Sequence, residues 1–100
     1  MAWPFSNVDA PNLDTGPGAA VPTSATSITT GDAWLLGAHF TNTGGVSHTV
    51  TVTDTAGAVL CELKIPAGGE MPYDWPFRPT TGVKWSASAA GIIGHVWGYQ

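Results

Sequence analysis

The stretch Met71-Pro72-Tyr73-Asp74-Trp75-Pro76-Phe77-Arg78 limits what this chain can fold into more than any other. Read with a period of two, Met71, Tyr73, Trp75 and Phe77 fall on one face, and Pro72, Asp74, Pro76 and Arg78 on the other. Each proline lacks a backbone donor and has a fixed φ, so the segment can neither continue a helix nor occupy the middle of a sheet. It predicts an edge strand, or an extended ribbon laid along a sheet, with large apolar side chains aimed at one surface.

From residue 32 onward the pattern is β throughout. Trp34, Leu36, Ala38 and Phe40 alternate with Leu35, Gly37 and His39, up to the turn Thr43-Gly44-Gly45. Ser47-His48-Thr49-Val50-Thr51-Val52-Thr53 is β-branched at nearly every position, and Asp54-Thr55-Ala56-Gly57 turns it into the run Val59-Leu60-Cys61-Glu62-Leu63-Lys64-Ile65 as a hairpin. After Pro66-Ala67-Gly68-Gly69 comes the proline ribbon, then strands at residues 83–88 and 92–97. Turn signals recur every 8–12 residues and no segment has a helical period, which is the pattern of an antiparallel sandwich or barrel. The expected fold is all-β: an antiparallel β-sandwich, jelly-roll or immunoglobulin-like, of about seven or eight short strands. Its expected core holds Trp34, Phe40, Val50, Val52, Leu63, Trp85 and Ala87, with Trp97 as a further candidate for the interior.

Residues 1–30 read differently and are set apart from a sandwich domain at residues 31–100. They carry Pro4, Pro11, Pro17 and Pro22 and the run Thr23-Ser24-Ala25-Thr26-Ser27-Ile28-Thr29-Thr30, of which residues 26–30 offer one more strand. Prolines so spaced favour extended chain. Twenty-five extended residues reach ~80 Å, beyond the body of one small domain. Trp3 and Phe5, either side of Pro4, are the large aromatics of this arm and are expected to dock on a neighbouring subunit. Removal of residues 1–22 is then expected to leave the sandwich folded and to weaken assembly. The alternative is an arm folded back over its own sheet.

Composition narrows the function. Charged residues make up only 10% of the chain, against ~25% in ordinary globular domains, and there are five tryptophans. A surface of Thr, Ser, Gly and Ala suits a protein enclosed by neighbours. The net charge is −4 with Lys64, Arg78 and Lys84 as the basic residues, so the positive groove that nucleic acid requires is missing. Cys61 is single, which excludes an internal disulfide and a cysteine-based metal site and suits a small buried hydrophobe. His39, His48 and His95 lack the spacing of a metal motif, no G-x-S-x-G elbow occurs, and the glycines are dispersed among turns. No run of eighteen apolar residues and no cleavable leader pattern is present. The reading is a chain with no catalytic residue, no metal and no cofactor, not embedded in a membrane. The interface candidates are Trp3, Phe5, Tyr73, Trp75 and Phe77; the last three also form a candidate sugar-stacking platform flanked by Asp74 and Arg78.

The segments His39-Phe40-Thr41-Asn42-Thr43-Gly44-Gly45, Thr49-Val50-Thr51-Val52-Thr53-Asp54, Ile65-Pro66-Ala67-Gly68-Gly69 and Gly82-Val83-Lys84-Trp85-Ser86-Ala87-Ser88 resemble small virion structural proteins of tailed bacteriophages. The resemblance spans residues 33–98. It implies a β-sandwich made in the host cytoplasm and carried on the virion, as a capsid decoration (cement) protein or a tail component. The implied partners are further copies of the chain, as a homo-oligomer such as a trimer, and a major capsid or other virion protein. The family brings no catalytic residues. The alternative from another class is a carbohydrate- or receptor-binding β-sandwich module of the tail or fibre type.

Overall fold

A computed structural model describes residues 13–31, 33–75 and 81–99. Among them are nine strands and no helix: β1 (Leu13–Asp14), β2 (Ala19–Ala20), β3 (Thr26–Thr29), β4 (Trp34–Asn42), β5 (His48–Asp54), β6 (Val59–Ile65), β7 (Glu70–Tyr73), β8 (Val83–Ala87) and β9 (Ile92–Tyr99). They form two antiparallel sheets packed face to face, so the all-β sandwich is the observed fold. One sheet runs β1-β9-β4-β7, with β2 also on β9; the other runs β3-β8-β5-β6. The first half of the proline ribbon lies on the rim as expected: β7 is an edge strand whose single described neighbour is β4, and Pro72 is exposed, while residues 76–78 of the ribbon lie outside the described residues.

Between the sheets lie Phe40, Val50, Val52, Ile65, Val83 and Val96, all fully buried, with Trp85 close beside them. The ring centroids of Phe40 and Trp85 are 6.3 Å apart at 59°. Gly94 makes this pair possible: a Cβ there would stand 2.7 Å from the Trp85 ring, 2.8 Å from Val21 and 3.0 Å from Phe40.

Two expected core residues fall elsewhere. Trp34 is 58% exposed, because the β4–β9 register shifts between Leu35 and Gly37. The extra residue of this bulge reverses the alternation, so Leu35 turns inward and Trp34 and Leu36 face solvent, while Ala38 and Phe40 keep the inward phase. Leu63 is only half-buried, since it sits on the edge strand β6 and packs against the core from its rim. Trp97 is also not interior; the inward positions of β9 are Ile92, Gly94, Val96 and Gly98.

Of the segment 1–30, residues 13–29 run over the sandwich itself. Leu13 and Asp14 pair with Gly98 and Trp97, and Ala19 and Ala20 with Gly94 and Ile93. The Val21 amide donates to the Ile92 carbonyl at 2.9 Å, and the Val21 side chain is buried. The Pro22 carbonyl then accepts from the Ala87 amide at 2.8 Å, and β3 continues along β8. The segment thus passes from the edge of one sheet to the edge of the other and closes that side of the sandwich. Residues 13–22 hold ladder and core positions, which fits the alternative of a segment folded back over its own sheet, and removal of residues 1–22 would take these positions with it. Trp3 and Phe5 lie outside the described residues, as does Phe77.

Candidate functional site

Tyr73 and Trp75 do not form an open platform. Their rings meet edge to face, 5.2 Å apart at 88°, and both are half-buried against the core, as is Met71. The Tyr73 hydroxyl and the Cys61 thiol interact across the edge, bringing the edge strand β7 of one sheet to the edge strand β6 of the other. Burial, and then this neighbour, push the Tyr73 phenol up to about 12. Burial likewise raises the Cys61 thiol, which keeps it protonated and unreactive at neutral pH.

The chemistry gathers instead on the outer face of the five-stranded sheet. Cα partners across an antiparallel ladder point to the same side. The pairs Trp34–Tyr99, Gly37–Trp97, His39–His95 and Thr41–Ile93 therefore project outward together. Asp14 joins them opposite Trp97, and Glu70 opposite Thr41. Trp97 lies over Gly37: a Cβ on that glycine would stand 2.7 Å from Cζ2 of the indole and 3.0 Å from Cε2. Only a residue without a side chain lets the ring settle onto the strand, so the indole packs closely on β4 and remains half-exposed. The His95 ring adjoins Trp97 at 4.8 Å and 54°.

Each outward histidine is oriented by a carboxylate. His95 Nε2 is 2.7 Å from Asp14 Oδ1, and His39 Nε2 is 3.3 Å from Glu70 Oε1. Asp14 Oδ1 also accepts from the Gly16 amide at 2.7 Å. That backbone bond first, and His95 second, hold the Asp14 carboxyl below its ordinary 3.8. A polar row, Asp14, His95, His39 and Glu70, thus crosses four strands beside the rings of Trp34, Trp97 and Tyr99. Among the described residues no group of three His, Cys, Asp or Glu side chains is placed to hold a metal ion.

The sequence reading did not single out this face. The available signal was Gly94 and Gly98 alternating with His95, Trp97 and Tyr99, which marks the bulky residues of β9 as the outward set. No family model, curated protein or solved structure matches this chain at a significant level.

Proposed function

We propose that this protein is a non-catalytic structural component of a bacteriophage particle, a capsid decoration protein that stabilises the shell through protein–protein contacts as a homo-oligomer. The observation that carries this reading is apolar exposure on a chain poor in charge. Trp34, Leu36, Val46 and Val59 are 58%, 42%, 63% and 56% exposed, while charged residues make up 10% of the sequence. Such side chains on a small domain fit surfaces that neighbours cover. The sandwich fold and the resemblance of residues 33–98 to virion proteins support the same reading. A tail position is the other placement on the particle.

Quantitative mass spectrometry of purified source particles tests it. The chain should appear in a fixed ratio to the major shell protein; a few copies per particle would move it to the tail, and absence from the particle would overturn the reading.

A further inference from the structure

The geometry points to the outer face of the five-stranded sheet as a binding site for neutral carbohydrate chains, with Trp97, Trp34 and Tyr99 as the stacking surface and Asp14, His95, His39 and Glu70 as the hydrogen-bonding rim. This inference stands on that face alone and does not need the virion reading.

Three features select the ligand. First, the Trp97 indole is laid on the strand at Gly37 on the outward side of the sheet and is half-exposed there. Residues two apart on a strand are ~6.6 Å apart and neighbouring strands ~4.8 Å, so Trp97, Tyr99 and the cross-strand Trp34 extend over more than one ring-sized ligand unit. A pyranose offers such a surface its C–H face, which the electron-rich ring attracts. Second, the rim beside the rings is polar and already oriented. Each histidine is tethered to a carboxylate at 2.7 or 3.3 Å, and the carboxylate side chains remain 53% and 66% exposed. Carboxylates accept from hydroxyls, and a saccharide carries hydroxyls around the edge of the same ring that stacks. Third, the charge excludes the other ring-bearing ligands. Nucleotides require cations, and among the described residues both lysines, Lys64 on β6 and Lys84 on β8, belong to the opposite sheet. Asp14 and Glu70 likewise repel uronic acids and sulfated sugars. The ligand class left is an uncharged oligosaccharide of pyranose units.

The test is isothermal titration calorimetry of the full chain with cellohexaose, maltohexaose, N-acetylchitohexaose and, as the anionic control, hexagalacturonate. At least one neutral hexasaccharide should bind saturably and hexagalacturonate should not. Trp97→Ala and Trp34→Ala should each weaken binding tenfold or more with an unchanged far-UV circular dichroism spectrum. Thr51→Ala, on the opposite sheet, should leave it unchanged. Gly37→Ala, which tips the indole off the strand while keeping every aromatic group, should also weaken it and serves if Trp97→Ala does not fold. Failure of all three neutral sugars to bind overturns the proposal. So does equal binding of hexagalacturonate, or binding that survives both tryptophan substitutions. Sedimentation velocity adds a further arm: a dimer that Trp34→Ala and Trp97→Ala dissociate would make a second copy of the chain the occupant, and would also overturn it. None of these results bears on whether the chain is present in the particle.

Discussion

On the four-stranded sheet the outward positions read Thr49, Thr51, Thr53, Ser86, Glu62 and Lys64, whereas on the five-stranded sheet they read Trp34, Trp97, Tyr99, His39, His95 and Thr41. Both sets arise from the same alternation over the same core. Hydroxyls and the charges of Glu62 and Lys64 give the first face a surface that water satisfies as well as any partner could. The second face departs from this through two local devices: a bulge that turns Trp34 outward, and a glycine on which Trp97 lies. Alternation decides which residues face out, but irregularities and missing side chains decide what those residues can form. A β-rich propensity scale would rate both faces alike, since it measures fit to a pleated surface and not use of it.

The largest effect should come from the residue both faces rest on. Trp85→Ala opens a void between the sheets and should cost ~3–5 kcal/mol by urea unfolding, lowering the stability of both faces together. A loss under ~1 kcal/mol would show that the sheets do not share one core. Next come two glycines with the same 2.7 Å contact to a tryptophan ring on opposite sides of one sheet. Gly94→Ala presses into packed Trp85, Val21 and Phe40 and should cost about 1–3 kcal/mol. Gly37→Ala presses on an outward ring that is able to swing away, and should cost under about 1 kcal/mol. Equal costs would break the distinction between inner and outer side.

Acid should single out one face. The Asp14 carboxyl is held below 3.8, so its contribution is present at neutral pH and is lost as pH falls below 3.8 through the folded value. Below about pH 4 the wild type should therefore lose stability more steeply than Asp14→Asn, as followed by melting temperature against pH. In base the sign reverses. The Tyr73 phenol is raised from 10.0 to about 12, so its contribution is complete below pH 10 and lost between pH 10 and 12, and Tyr73→Phe should flatten that limb. The smallest effect belongs to the hydroxyl face: Thr51→Val should shift stability by no more than about 0.5 kcal/mol.

Much of this architecture was legible in the sequence. The β-branched run at residues 49–53 with its Asp54–Gly57 turn, the rim position of the proline-bearing strand at residues 70–73 and the short strand at residues 26–29 all follow from local chemistry. Asp54 shows why the turn could be read: its Oδ1 accepts from the amides of Ala56 and Ala58 at 2.9 Å, and Gly57 takes φ 94°. The bulge at residues 35–37 could not be read, because strict alternation and its interruption by one residue give the same apolar count. Neither could β1 and β2, whose two-residue pairings depend on where β9 lies and not on their own Leu13-Asp14 or Ala19-Ala20. For the same reason the candidate site was hidden: Asp14 and His95 are 81 residues apart in the chain, and only the closed sheet brings them to 2.7 Å.

The central place of β9 in its sheet has a consequence in time. This strand is flanked by β4 on one side and by β1 and β2 on the other, so partners from the beginning of the described chain wait for one near its end. Chains emerge from the ribosome amino end first, and non-local antiparallel pairing is slow, on the order of milliseconds to seconds. Until residues 92–99 are made, Leu13, Val21 and Leu35 lack the β9 backbone they lie beside, whereas the β5–β6 hairpin and the β4–β7 pair can already form. Closure is then a single late event. The strand that seals Ile92 and Val96 inside is the same one that turns His95 and Trp97 outward, so a nascent chain acquires its core and its recognition surface in one step.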